Sequence, residues 1–382
     1  MSVWASVPGN GAGASGAVRR VLAGLLESGR ARAVMVLMRT HDGRSVQPAM
    51  VTRPDRLHLA EPLAPVMPIH MARMASLVST HGGNGAPSEG KIAIVVRPCE
   101  LRGLVELSKL NQLRADDFLT VGVDCVGTFE GAEWTRLREA EGGAAARHEA
   151  ALREGQPQAP AGSYRHACTL CDTPAAWNAD LALHVIGVPE GVLVEARQEE
   201  LLPSGVSAAE DLPGREGVLE ALRAARSTSR RAALDAMQER MHPTSEGLPG
   251  LLVEFETCQR CHNCTVACPI CYCKECLFRT ETFAHEPRRY FGWAERKGAA
   301  RLPGDAVAFQ LTRLCHVTTS CVGCGMCTSA CPADLPVDLL FQTVARRTQA
   351  MFDYVPGRSL DEALPPSTFE RKEFIDLGEV HS

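Results

Sequence analysis

The chain has 382 residues, a formal charge of −5 and 45% hydrophobic residues, enough for two domains that each bury a core. Lys and Arg are scattered among Asp and Glu without a basic stripe, which argues against nucleic-acid binding. No apolar run approaches the ~20 residues of a membrane span, and the opening residues lack the charged-then-apolar pattern of a secretory signal. The expected location is therefore the cytoplasm, where sixteen cysteines mean metal ligation more readily than disulfides.

In chain order, Ser15 and Gly16 open a helix over Ala17 to Ser28, with Val21, Leu22, Leu25 and Leu26 on one face. Gly29 ends it, and Ala33 to Met38 is a continuous apolar run typical of a buried strand. Glu61 to Pro68 reads as a Pro-punctuated loop and His81 to Gly90 as a Gly-rich one. Lys91 to Val96 is a second buried strand, followed by Pro98-Cys99 and a helix near Leu101 to Leu113. Leu119 to Val123 is a third strand, leading to Cys125. Glu130 to Gln158, rich in Ala, Glu and Arg, is expected as a solvated helix and loop. Leu181 to Val194 returns to strands, broken at Pro189-Glu190-Gly191. Arg215 to Met241 places Leu219, Leu222, Leu234, Met237 and Met241 at helical spacing. The segment from His242-Pro243 to Pro249-Gly250 is the expected boundary, dividing 1–245 from a cysteine-dense module at 250–345 and a tail at 346–382.

Twelve of the cysteines fall between Cys258 and Cys331. Cys258, Cys261, Cys264 and Cys268-Pro269 form Cys-x-x-Cys-x-x-Cys-x-x-x-Cys-Pro, and Cys321, Cys324, Cys327 and Cys331-Pro332 repeat it. This is the spacing of ferredoxins with two 4Fe-4S clusters, in which the last cysteine of each run serves the other cluster. Cys258, Cys261, Cys264 and Cys331 are thus expected to hold one cluster, and Cys321, Cys324, Cys327 and Cys268 the other. Paired Cys-x-x-Cys zinc sites are the competing interpretation, but zinc asks for neither the third cysteine nor the Cys-Pro ending. Cys271, Cys273 and Cys276 lie between the motifs, with Cys315 or His316 available as a fourth ligand. They form either a further cluster or zinc site, or small buried apolar residues. His316 is also a candidate hydrogen-bond donor to cluster sulfur, against the plainer role of an ordinary packed or exposed side chain.

Cys99, Cys125, Cys168 and Cys171 are scattered through the first part, two of them just after predicted strands. Strand ends at one edge of an α/β sheet converge, yet spacing alone favours isolated buried cysteines. The segments around them carry a resemblance. Gly13-Ala-Ser-Gly-Ala-Val18, Lys91-Ile-Ala-Ile-Val-Val-Arg-Pro-Cys99, Val121-Gly-Val-Asp-Cys125 and Ala167-Cys-Thr-Leu-Cys171 are similar to landmarks of the coenzyme F-420 hydrogenase/dehydrogenase beta-subunit family. With its C-terminal dicluster module, the chain looks most like the beta subunits of formate dehydrogenases.

The resemblance implies an α/β flavin-binding domain followed by an α+β dicluster ferredoxin-like domain. It also implies a third 4Fe-4S cluster on Cys99, Cys125, Cys168 and Cys171, and FAD near Gly13, Ser15, Gly16 and Ala17. The activity it implies moves electrons between coenzyme F-420 or NAD(P)H and a catalytic partner, alongside other iron–sulfur subunits. A relay without soluble-carrier activity is the alternative. Trp134, Trp177 and Trp293 have no role legible in the sequence.

Overall fold

The computed structural model describes residues 2–81, 90–140, 143–159, 163–204, 206–241 and 248–368. Most of the Gly-rich stretch at 82–89, the boundary residues 242–247 and the end of the tail at 369–382 lie outside the described residues.

Eight strands form one mixed sheet: β1 Val3–Val7, β2 Ala33–Arg39, β3 Val46–Val51, β4 Ile92–Val96, β5 Phe118–Val123, β6 Leu181–His184, β7 Val192–Ala196 and β8 Ser207–Ala208. Their spatial order is β3-β2-β4-β5-β6-β7-β1-β8. The central β2-β4-β5-β6 pairings are parallel, and the outer pairings are antiparallel. Apolar side chains on β2 and β4 alternate between two cores, as the two-residue period of a strand requires. Val34, Val36, Ala93 and Val95 face the core built with α1 (Gly13–Glu27). Met35, Ile92, Ile94 and Val96 face the opposite core, built with α2 (Met71–His81) and α3 (Pro98–Lys109). The expected α/β architecture is present as a sheet covered on both faces.

Two expectations need correction. The 130–158 region is solvated on one side only, because its helices bury the other. Within α4 (Gly131–Glu139) and α5 (Ala144–Glu154), Trp134, Leu137, His148, Ala151 and Leu152 are all buried. Alanine-rich helices bury a face through small side chains, which weakens the apolar signal in sequence. The second correction concerns the cysteine-dense module, which has no strand among its described residues and so is not α+β. It consists of α8 (Leu248–Glu254), α9 (Asn263–Ala267), α10 (Pro287–Lys297), α11 (Ala306–Val317), α12 (Met326–Ser329) and α13 (Val337–Met351), with loops between. Arg260, His262, Gly323 and Gly325 take positive φ inside the two motifs. That conformation coils the backbone around a centre instead of extending it.

Between sheet and module run α6 (His166–Thr169) and the long α7 (Arg215–Met241). Leu219 and Leu222 of α7 belong to the sheet's core, whereas Met237 and Met241 belong to the module's core with Phe255, Leu340 and Phe341. One helix therefore carries the packing from one region into the next. After α13 the chain returns to α3. The Tyr354 hydroxyl and the Gly357 amide donate to Glu106 Oε1 at 2.6 and 2.7 Å, and Lys109 Nζ donates to the Tyr354 oxygen at 2.6 Å.

Candidate functional site

Cys99 opens α3 directly after β4, and Cys125 follows β5. Because β4 and β5 are parallel neighbours, both cysteines emerge at the same, carboxyl edge of the sheet, where α/β proteins gather ligands. Cys168 in α6 and Cys171 just after it reach the same place, and all four line one cavity with Arg97, Arg165 and Arg226. We call this the N-terminal cavity. Gly323 and Cys324 of the second motif also line it.

Cys268, Cys321, Cys324 and Cys327 line a second, middle cavity together with Arg313 and Phe341. Cys258, Cys261, Cys264 and Cys331 line a third, outer cavity beside Phe309 and Gln310. The fourth cysteine of each motif thus faces the cavity of the other motif. Gly323 and Cys324 are common to the N-terminal and middle cavities, so a single thiol forms part of the wall between them. Gly325 is what permits this approach. Its φ is +72°, and a Cβ there would lie 2.3 Å from the Ala167 Cβ.

Among the described residues, no three His, Cys, Asp or Glu side chains converge on a position for one metal ion. Zinc would draw its thiolates to about 2.3 Å from a single centre, whereas a cluster spreads its ligands around a larger body. Cys271, Cys273 and Cys276 line none of the three cavities. Cys273 and Cys315 are exposed, as is His316. The Cys271 carbonyl accepts from Arg73 Nη1 at 3.0 Å, and Cys276 packs beside Phe278 and Phe309.

The charges around the cavities are unusual. Arg102, Arg165, Arg226 and Arg313 are each 5% exposed or less, and the ion pairs among the described residues include none of them. Their hydrogen bonds go to neutral oxygens and to sulfur. Arg165 reaches Thr128 Oγ1 at 2.9 Å and Cys168 Sγ at 3.7 Å. Arg226 donates to the Cys171 and Val126 carbonyls, and Arg102 to the Val322 carbonyl at 2.7 Å. Arg313 Nη1 lies 3.0 Å from Cys264 Sγ, and Gln310 Nε2 lies 3.5 Å from Cys258 Sγ. A buried cation without a counter-ion costs several kcal/mol. Burial pushes the Cys125 thiol up to about 11 and raises Cys99 and Cys327 as well. At Cys168 burial also pushes up, but Arg165 and the Thr128 hydroxyl outweigh it and bring the thiol below its ordinary value. A metal–sulfur group held by four thiolates carries net negative charge and would supply the ion-pair partner these arginines lack, beside the buried Asp338 that lines the middle cavity. The donor sets fit such a group.

None of these arginines, nor Gln310, was visible as a functional residue in the sequence. The available signal was a polar pair, Gln310 and Arg313, inside the apolar face of α11 formed by Ala306, Phe309, Leu314 and Val317.

The α1 start is arranged differently from the expectation. Glu149 of α5 sits on it, accepting from the Ala14 and Ser15 amides at 3.2 and 3.3 Å and from the Ser15 hydroxyl. Gly13 is at φ +64°, and a Cβ there would meet Glu149 Oε2 at 2.6 Å. Ser15 lines a cavity of about 310 Å³ with Arg19, Arg39, Glu61, Trp134, Arg138 and Glu149, a size suited to small molecules. Gly16 and Ala17 are buried and do not line it. Trp134 is fully buried, and among the described residues its Nε1 has no hydrogen-bond partner. This cavity adjoins the N-terminal one through Arg97, whose Nη2 donates to the Ala64 carbonyl and to the Val66 carbonyl at 2.9 Å. A cavity of similar size, about 300 Å³, lies at the opposite ends of β4 and β5 beside Lys91 and Phe118, away from every cysteine.

No protein-family model matches the chain. The beta subunit of F420-dependent formate dehydrogenase from Methanocaldococcus jannaschii is 24% identical over 311 residues, covering 73% of this chain and 76% of its own length. The beta subunit of F420-dependent formate dehydrogenase 1 from Methanococcus maripaludis is 25% identical over 312 residues, with the same coverage of each chain. A chain of the F420-reducing NiFe hydrogenase complex from Methanosarcina barkeri superposes with a TM-score of 0.43 at 12% identity, covering 64% of this chain and 94% of its own. In its cysteine landmarks and in its two formate dehydrogenase relatives, the chain resembles the coenzyme F-420 hydrogenase/dehydrogenase beta-subunit family, and within it the formate dehydrogenase beta subunits.

Proposed function

We propose that this chain is the electron-transfer subunit of an oxidoreductase complex. It moves electrons between a soluble hydride carrier, coenzyme F-420 or NAD(P)H, and a catalytic partner subunit of the formate dehydrogenase, hydrogenase or heterodisulfide-reductase type. The route is FAD and then three 4Fe-4S clusters, held by Cys99, Cys125, Cys168 and Cys171, by Cys268, Cys321, Cys324 and Cys327, and by Cys258, Cys261, Cys264 and Cys331. FAD exchanges electron pairs with the carrier and single electrons with the clusters.

The observation that carries this reading is the series of three four-cysteine cavities, each bordered by a buried arginine that forms no ion pair among the described residues. Neighbouring cavities share a wall or a contact: Arg97 with Ala64, then Cys324, then Arg313 with Cys264. A series suits a wire, and the cavity beside Ser15 and Trp134 stands at its head. The likeness to two beta subunits of F420-dependent formate dehydrogenases supports F-420 as the carrier and formate dehydrogenase as the assembly. Among the described residues no helix is long and apolar enough to cross a membrane.

One observation favours the narrower alternative of a relay without carrier activity. The first-turn amides of α1, the expected seat for a flavin phosphate, are taken by Glu149. Protein purified anaerobically, with iron, sulfide and flavin counted, distinguishes the two. Reduced F-420, NADH and NADPH are offered separately, and bleaching of flavin and clusters by one carrier identifies the substrate. Three clusters with flavin but no bleaching leave the relay, and absence of clusters overturns both readings.

A further inference from the structure

The two C-terminal cavities share Arg313, and the buried Asp338 also lines the middle one. Arg313 leaves the buried face of α11, is 4% exposed, and lines the middle cavity. Its guanidinium also donates to Cys264 of the outer cavity, to the sulfur at 3.0 Å and the carbonyl at 3.3 Å. Gln310 Oε1 accepts from it at 3.0 Å. The Phe341 and Phe309 ring centroids lie 4.8 and 5.7 Å from the guanidinium carbon. The rings and the hydrogen bonds leave it no path to solvent. Among the described residues no carboxylate is within ion-pairing distance of it.

Adding an electron to a cluster makes the cluster more negative. A fixed cation nearby favours the reduced form and so raises the reduction potential, and a water-poor surrounding strengthens the effect. Two adjacent clusters also repel each other's added electrons, and a cation placed between them weakens that repulsion. We infer that Arg313 is a positioning residue that sets the potentials of the middle and outer clusters together, keeping both reducible in series. The inference rests on the iron–sulfur reading above and goes beyond it by assigning a residue that ligates nothing. Arg165, which approaches Cys168 of the N-terminal cavity, is the corresponding charge at the other end, so the effect of Arg313 is local.

The test is a potentiometric titration of the full chain followed by electron paramagnetic resonance, with iron counted in each sample. Arg313→Gln is expected to keep wild-type iron and to lower the middle and outer potentials, by at least tenfold in the reduction equilibrium (59 mV for one electron). The N-terminal cluster should not move, and Arg313→Lys should recover at least half of the shift. Unmoved potentials at full iron overturn the inference, as does a lysine variant shifted as far as the glutamine one. If the glutamine variant loses iron, Arg313→Met is measured in its place: at full iron, a tenfold or larger fall in the reduction equilibrium of both clusters supports the inference, and a smaller one overturns it. Loss of iron in both variants assigns Arg313 to cluster retention and also overturns it. Wild-type protein without clusters at these cysteines would instead sink the iron–sulfur reading itself.

Discussion

The sheet region and the cysteine-dense module hold their cysteines by opposite means. In the first, Cys99, Cys125, Cys168 and Cys171 are far apart in sequence, and a continuous core of strands and helices brings them together. In the second, the cysteines are close in sequence and sit in loops and short helices, with the longer α11 and α13 packed beside them. α9 and α12 have five and four residues, and the apolar core draws on α7 from outside the module. The fold positions the thiols in one region; in the other, the group on the thiols is expected to help hold the fold. Metal-dependent folding of small cysteine-rich modules follows the same logic.

Removing iron is the largest expected test of that contrast. In chelator-treated protein, amide exchange over 258–335 should rise towards that of an unfolded chain, while β4 and β5 stay protected. Equal protection of both regions without iron would erase the distinction. Next in size, Trp134→Ala should destabilise the sheet region by about 3–5 kcal/mol, the usual cost of emptying a buried aromatic site. Chemical denaturation followed by far-UV circular dichroism measures it, and the iron on the second motif should be retained.

The sheet region should also respond to pH through His184. Burial pushes its pKa down, but Asp124 at 3.2 Å and Glu195 at 3.4 Å outweigh burial and the facing Arg215, raising it from 6.5 to about 9. A raised folded-state pKa contributes stability that is fully present below about 6.5 and is lost as pH climbs through 9. The shift is worth on the order of 3 kcal/mol. Urea midpoints should fall between pH 7 and pH 9 in the wild type and fall less in His184→Gln; parallel curves would remove His184 as the cause. The smallest effect is expected from Glu149→Gln, which weakens the cap on α1 by about 1 kcal/mol. Thermal unfolding measures that loss, and flavin titration of the same variant shows whether the carboxylate competes for the seat.

The two regions also differed in what the sequence disclosed. The ferredoxin motifs are local patterns, so the cysteine sets of the middle and outer cavities could be written down from spacing alone. α7 was equally plain because its apolar spacing runs over 27 residues. By contrast, β1 and β3 escaped notice, being short, partly exposed and, in β3, interrupted by Pro48. The grouping of Cys99, Cys125, Cys168 and Cys171 depended on family resemblance, since only a sheet edge connects them. Arg165, Arg226 and Arg313 were hidden for a different reason. Arginine in sequence reads as solvent-facing, and only the folded chain reveals that these cations are buried and form no ion pair among the described residues.

The return of residues 354–357 to α3 has a mechanical consequence. The module leaves the sheet region on α7 and is fastened back to it by Tyr354 and Gly357 on Glu106. It is therefore bracketed at both ends instead of hanging from one hinge. A module on a single hinge could swing and open a gap at the Cys324 wall, and on the proposed electron route each swing would break the path. A bracketed one keeps that gap constant. Cutting the clasp with Tyr354→Phe and Glu106→Gln together would leave the module held by α7 and by direct contacts such as Arg102 on the Val322 carbonyl.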